Sequence, residues 1–216
     1  MPLAAHASLP YWLWLVLFVA GVAFSWWAFV QQRRSAANLR ALALRLGLDF
    51  FDDKKSGWES ILVVTGKHEG REVTFNTFTT GSGKSRVNWR GVSVRPRTIG
   101  GLLFHFRPQG LRTKLAELFG TNEITVGDAA FDAAWFLETN EPEFLRAALV
   151  PEVRAKLMAA HADAGTDGNF KLQQTAVVYA EHGTFADPND CARFELLLPV
   201  LHDLADIAEV SAERRP

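Results

Sequence analysis

The stretch SILVVTGKHEGREVTFNTFTTGSGKSRVNWRGVSV, residues 60–94, decides the fold class. Ser60–Thr65 is apolar and β-branched, which suits a buried strand, and His68-Glu69-Gly70 supplies a turn. Arg71–Thr79 alternates, with Val73, Phe75 and Thr77 on one face. Gly81-Ser82-Gly83-Lys84 makes the next turn, after which Val87 and Trp89 share one face while Val92 and Val94 have the opposite parity. A bulge at Arg90-Gly91 would reconcile the two sets, because one extra residue shifts the register by one. Turns this short cannot hold a crossover helix, so the strands are antiparallel neighbours rather than βαβ units. Leu102–Phe106 is expected as a fourth strand of the same meander.

Downstream, helical spacing appears over Leu111–Phe119 and is stopped by Gly120. Asn122–Val126 and Ala133–Leu137 are expected strands, and Asn140 is expected to cap a helix that carries Pro142 in its first turn. Pro151 restarts a helix over Glu152–Ala162. Asn169–Gln174 and Thr175–Glu181 read as two strands or one bent strand. From Pro188 onward Phe194, Leu197, Leu201, Leu204 and Ala208 recur at helical spacing, with a kink expected at Pro199. The class is therefore α+β, an antiparallel sheet with helices packed on it.

Upstream the texture is different. Tyr11–Val30 holds 20 residues without a charge, and at 1.5 Å per residue these span about 30 Å, a hydrocarbon core. Trp12 and Trp14 near one end, and Trp26 and Trp27 near the other, fit two interfacial belts. No Lys or Arg precedes the segment, while Arg33, Arg34, Arg40 and Arg45 follow it, so the bulk of the chain is expected in the cytoplasm, anchored in the inner (plasma) membrane. A cleaved signal peptide would need a basic start, and none is present. Leu39, Leu42 and Leu46 extend the helix beyond the bilayer until Gly47 stops it. The expected organisation is a tail over 1–10, a transmembrane helix over 11–30, a juxtamembrane helix over 31–47 and a cytosolic domain over 48–216.

The net charge of −1 over 216 residues hides a split. Residues 31–114 carry 16 Lys/Arg against 6 Asp/Glu, and residues 115–216 carry 7 against 18. Three readings compete. The halves neutralise each other within the fold; or Lys84, Arg86, Arg90 and Arg95 on the second hairpin join Arg33, Arg34, Arg40 and Arg45 against anionic lipid headgroups; or an acidic partner binds the basic half. Nucleic acid is disfavoured, since no basic helix or RNA-binding aromatic signature accompanies Trp89 and Arg90.

Catalytic and metal motifs fail one by one. Thr80–Ser85 ends like a phosphate-binding loop but lacks the first glycine, which would stand at Phe78, and lies between strand patterns. Asp163–Gln174 mimics a calcium loop, yet its last position is Gln174 instead of a bidentate carboxylate. The six histidines do not cluster in sequence, and Cys191 has no histidine beside it. Cys191 sits at a helix start, where a thiolate is modestly favoured. No metal, cofactor or catalytic residue is assigned.

Phe131, Trp135–Leu137, Asn140, Pro142, Leu145-Arg146, Leu149, Pro151-Glu152-Val153 and Leu157 form a pattern. With the N-terminal span, the Gly81–Lys84 hairpin and the Phe104–Pro108 segment, it resembles a family of uncharacterised bacterial membrane-anchored proteins, over roughly residues 45–160. The resemblance implies one or two membrane helices before a cytosolic α+β domain, and it carries no active site. The expected function is a single-pass protein with a non-catalytic binding or scaffolding domain for an unidentified protein partner. The alternative is a membrane-surface enzyme whose site is assembled from distant residues, around His105 or the Asp163–Asp167 loop.

Overall fold

The computed structural model describes residues 11–54, 60–109, 122–163, 167–173 and 175–214. The helix expected over Leu111–Phe119 lies outside them.

Helix α1, Tyr11–Leu46, is continuous through the apolar segment and beyond it. It is long and apolar enough to cross a bilayer, and none of its apolar window is buried among the described residues. Ser25 Oγ donates to the Gly21 carbonyl at 2.8 Å, which satisfies the hydroxyl inside the helix itself. The last third of α1 is different: Ser35, Leu39, Leu42 and Ala43 are buried. Arg40 and Arg45 fall off that stripe and are exposed, as their spacing requires. Gly47 adopts φ +66° just past the helix, the left-handed position that closes a C-terminus, and Leu48 N–H returns to the Ala43 carbonyl at 2.8 Å.

Strands β2 (Ser60–His68), β3 (Arg71–Thr80) and β4 (Val87–Val94) form the expected antiparallel meander, and β1 (Asp49–Lys54), where the sequence reads as a polar connector from Phe50, adds a strand by pairing with β2. Beyond it the order leaves the sequence. Strand β5 (Phe104–Pro108) does not follow β4 in space; β8 (Asn169–Gln173) and β9 (Ala176–His182) stand between them. Among the described residues the sheet has nine strands in the order β1-β2-β3-β4-β9-β8-β5-β7-β6, all antiparallel, with β6 (Asn122–Ile124) and β7 (Trp135–Thr139) closing the far side. One row of directly paired positions crosses the whole sheet: Phe50, Val64, Phe75, Val92, Tyr179, Phe170, Phe106, Leu137 and Ile124. Each member is buried or packed on the core, which is why the register is fixed.

The helices complete this face. They are α2 (Ala129–Ala134), α3 (Pro142–Ala148), α4 (Pro151–Asp163), α5 (Pro188–Leu196), α6 (Leu198–Glu213) and the end of α1. Leu198, Leu201, Leu204, Ala205 and Ala208 of α6 lie in the same core cluster as Val92 and Val177.

Four local expectations are corrected. No bulge interrupts β4, whose pairing runs unbroken from Val94 opposite Val73 to Val87 opposite Thr80. Val87 and Trp89 instead point to the outer face. The strand expected at Ala133–Leu137 starts only at Trp135, because Asp128 caps α2 by accepting from Phe131 N–H at 3.2 Å. Asn140 is not the cap of α3, which is Glu141; its amide instead ties Leu103 N–H and the Gly101 carbonyl, at 2.7 and 2.6 Å. The kink at Pro199 is a full break: α5 ends, and Pro199 opens α6 from its first turn, where its missing N–H costs nothing.

Candidate functional site

Three charged or aromatic clusters stand out, and the fold separates them. The first is where α1 enters the domain. Asp187 and Pro188 at the start of α5 share an open cavity of about 500 Å³ with Gln31, Arg34, Arg90 and Asp190. Further along, Asn38 Nδ2 donates to the Phe185 carbonyl at 2.8 Å, and Arg45 pairs with Glu195 at 3.0 Å. Helix α5 therefore runs beside α1 in the same direction, and the level of Arg34 and Arg90 is the apolar-segment end of the domain. Strand β4 passes from Arg90 back to Val87 beside its hairpin turn, about 10 Å along the strand. On its outer face Phe78 stacks on Trp89, with centroids 6.2 Å apart and ring planes 6° apart. His182 tilts against Trp89 from the next strand at 4.0 Å. Trp89 Nε1 donates to Thr80 Oγ1 at 2.7 Å, while Phe78 and Val87 are each 37% exposed.

The eight basic residues singled out from the sequence have different fates. Arg33 lies over the Phe29 ring and Arg40 over Phe50, both exposed. Arg34 lines the cavity, and Arg45 is paired with Glu195. Lys84 belongs to the 3-10 turn Gly83–Ser85, and Arg86 follows it, exposed. Arg95 pairs with Glu72 at 3.1 Å on the surface. Arg90 is turned inward: it donates to Glu181 at 2.7 Å and to the Thr184 carbonyl at 2.7 Å, and pairs with Asp190.

Glu181 is the centre of that inner network. Its side chain is 1% exposed and accepts from Arg90, Arg193 and Tyr179. Burial alone would push its carboxyl up, but the hydrogen bonds from Arg193 and Tyr179 and the charges of Arg193 and Arg90 hold it below the usual range. Burial first, then the charge of Glu181, raises the Tyr179 phenol. One carboxylate and its neighbour Asp190 thus neutralise two arginines in the interior. This is a structural network, since every charged head points at another.

The second cluster lies at the opposite end. His68 and Glu69 in the β2–β3 turn meet His202 of α6, and this His-Glu-His grouping could hold a metal ion. The proton arrangement argues for a hydrogen-bonded clasp. Arg71 can only donate, and its NH1 faces His202 Nδ1 at 3.4 Å, so the proton of His202 is assigned to Nε2, which donates to His68 Nδ1 at 3.1 Å. A metal at Nε2 would need that proton on Nδ1, against the guanidinium. Arg71 is itself fixed by Glu209, at 2.9 Å through both Nε and NH2, and by Asp206.

The third cluster is on the outer face of β5, β7 and β8. His105 Nδ1 lies 3.6 Å from Glu138, which Arg107 also pairs at 3.1 Å, and Lys171 stands opposite His105 in the register. Burial, then the charges of Arg107 and Lys171, lowers His105 to about 4; burial also lowers Lys171. Sequence spacing could not assemble this set, whose members come from three strands.

The remaining candidates have structural roles. Thr80–Ser85 is a hairpin turn, with strands on both sides. In the calcium-like stretch, Asp167 accepts from His182 N–H at 2.9 Å and pairs with its ring, while Phe170 is core; residues 164–166 and 174 lie outside the described set. Cys191 is buried, and that burial pushes its thiol up to about 11, the reverse of the thiolate favoured at a helix start. Trp135 is buried core.

No protein-family model matches the chain, and no curated protein matches it. Among solved structures it is similar to the crystal structure of the mycobacterial trehalose monomycolate transport factor A, TtfA, with TM-score 0.55 and 11% identity, over 82% of this chain and 96% of that one. At that identity the likeness is one of fold.

Proposed function

We propose that this chain is a single-pass bacterial inner-membrane protein whose cytoplasmic domain is a non-catalytic binding and scaffolding module, serving a membrane transport process beside a protein partner. The observation that carries the reading is α1. One helix is bare over its apolar stretch and core over Ser35–Ala43, so anchor and domain form a single rigid body instead of a domain on a flexible tether. Arg33, Arg34, Arg40 and Arg45, placed just after the apolar stretch, support a cytoplasmic domain. Fold likeness to a transport factor supports the accessory role. Among the described residues, the titratable clusters have their charged heads paired at the surface or in the interior, and none faces an enclosed cavity that would exclude water from a substrate.

The test fuses alkaline phosphatase or a green fluorescent reporter to the C-terminus, and places a photo-crosslinking residue on the exposed side of α4. The reading expects a fluorescent reporter, an inactive phosphatase and a discrete crosslinked adduct with an integral membrane protein. Active phosphatase, or no adduct in native membranes, contradicts it. A second reading, a membrane-surface enzyme, rests on the His105–Glu138–Lys171 grouping, where a neutral imidazole stands beside a carboxylate. Under it, His105→Ala would abolish turnover of a membrane substrate without unfolding the domain.

A further inference from the structure

We infer that the β3–β4 hairpin turn is a second membrane contact, an interfacial wedge that seats the domain on the anionic lipid surface its own helix crosses. The inference deepens the proposed function and rests on its anchor.

Three independent observations converge. The first is placement. Gln31 and Arg34, just past the apolar stretch of α1, share a cavity with Arg90, and the hairpin turn lies three residues further from Arg90 toward the apolar end. Along β4 that is about 10 Å, while α1 needs only about 6 Å to pass from Arg34 back to Val30. Arg40 of α1 lies over Phe50 near the Asp49 end of β1, so the antiparallel registers put the β3–β4 turn at the other end of the meander, on the side where α1 becomes uncharged.

The second observation is chemistry. The outer face of this hairpin presents Phe78, Val87 and Trp89 where the register would suit polar residues, as it does further along at Thr74 and Ser93. An apolar patch on the sheet face opposite the helices marks a contact surface. Indole and phenyl rings favour the interfacial layer, and the indole N–H is already satisfied by Thr80, so moving it out of water strands no donor. Lys84 and Arg86 stand in the turn that leads into Val87, a sequence that suits anionic headgroups, and an acidic protein surface would lack a counterpart for the three apolar side chains.

The third observation is rigidity. Arg90, at the base of the hairpin, is locked to Glu181, Asp190 and the Thr184 carbonyl, so the β4 end of the hairpin is tied to the α5 start that faces α1. Two contacts joined by a stiff body fix the tilt of the domain on the bilayer, which one helix alone leaves free to rotate.

The experiment uses the full chain with Cys191→Ala, incorporated into vesicles of anionic or neutral phospholipid. Single cysteines at Ala20, Val87 and Lys67 carry an environment-sensitive fluorophore, and lipids bearing a nitroxide near the headgroup act as quencher. Ala20 reports the anchor, and Lys67 lies at the opposite hairpin. Quenching at Ala20 and Val87 but not at Lys67 supports the wedge. Removing the cations with Lys84→Ala and Arg86→Ala should lower the ratio of seated to free hairpin about fivefold per charge on anionic vesicles. Trp89→Ser with Phe78→Ser should abolish quenching at Val87 on both lipids. Quenching at Ala20 with Val87 behaving like Lys67 overturns the wedge alone. A Val87 label shielded from aqueous iodide yet untouched by lipid quencher overturns it in favour of a protein contact. Absence of quenching at Ala20 overturns the anchor, and the proposed function with it.

Discussion

Glu181 shows how much one side chain can organise. Two arginines converge on it from β4 and α5, and Tyr179 donates to it at 2.7 Å. Glu181→Gln would leave both guanidinium groups short of charge in the interior, and we expect a loss of about 3–5 kcal/mol in denaturant unfolding. Arg95→Ala, at an exposed pair with Glu72, should cost at most about 1 kcal/mol by the same measurement. The pH dependence follows from the depressed groups. His105, held down to about 4, and His202, lowered chiefly by burial, bind fewer protons folded than unfolded. Their contribution is complete above the unfolded value of about 6.5 and is lost as pH falls toward their folded values. Glu181 adds a loss at lower pH, below the ordinary carboxylate value of about 4.3. Melting temperature should therefore decline steadily from pH 7 to pH 4, and His202→Phe should flatten the upper part of that slope. Apart from Tyr179 with Glu181, two residues apart on one strand face, these pairings have no local signal. His202 is 134 residues from His68, and Arg90 is 91 residues from Glu181.

At the scale of elements, periodicity was readable wherever one face is buried. Leu39 and Leu42 on α1, and Val73 and Phe75 on β3, fall where their spacing puts them. Reading failed where apolar residues face outward. Aligning Val87 and Trp89 with Val92 and Val94 requires a bulge; the strand instead runs straight, leaving Val87 exposed and Trp89 half-buried on the outer face. Capping failed at Asn140 because a tertiary demand, the loop at Gly101–Leu103, outcompeted the helix end for its amide. Two substitutions check the element scale. Leu39→Ala should cost about 2–5 kcal/mol of domain stability while leaving insertion of the apolar stretch unchanged. Gly168→Ala should destabilise by a similar amount, since a Cβ there would meet the Tyr179 hydroxyl at 2.1 Å. Chemical denaturation of the detergent-solubilised chain reads both.

For the whole molecule, an α+β class and an antiparallel sheet were legible because short turns forbid crossovers. The strand order beyond β4 was not, because placing β8 and β9 between β4 and β5 depends on long-range pairing that no window of sequence contains. The charge split resolves in part into specific pairs between the halves, such as Arg45 with Glu195, Arg71 with Glu209 and Arg90 with Glu181. Those pairs tie α1 to α5, β3 to α6 and β4 to β9, so the neutralisation reading holds for these contacts. The domain begins inside α1 and not after it, since Leu39, Leu42 and Ala43 belong to the core.

The measurement that bears most directly on a rigid anchor is a pulsed electron-spin distance between labels at Ala20 and Leu44, in the full chain with Cys191→Ala, held in an anionic lipid nanodisc. Both positions are exposed on α1, and 24 residues of continuous helix separate them by about 36 Å. A single narrow distribution near that distance is expected. A broad or markedly shorter distribution would show that the helix breaks at the membrane surface, and would contradict a domain held rigidly by its own anchor.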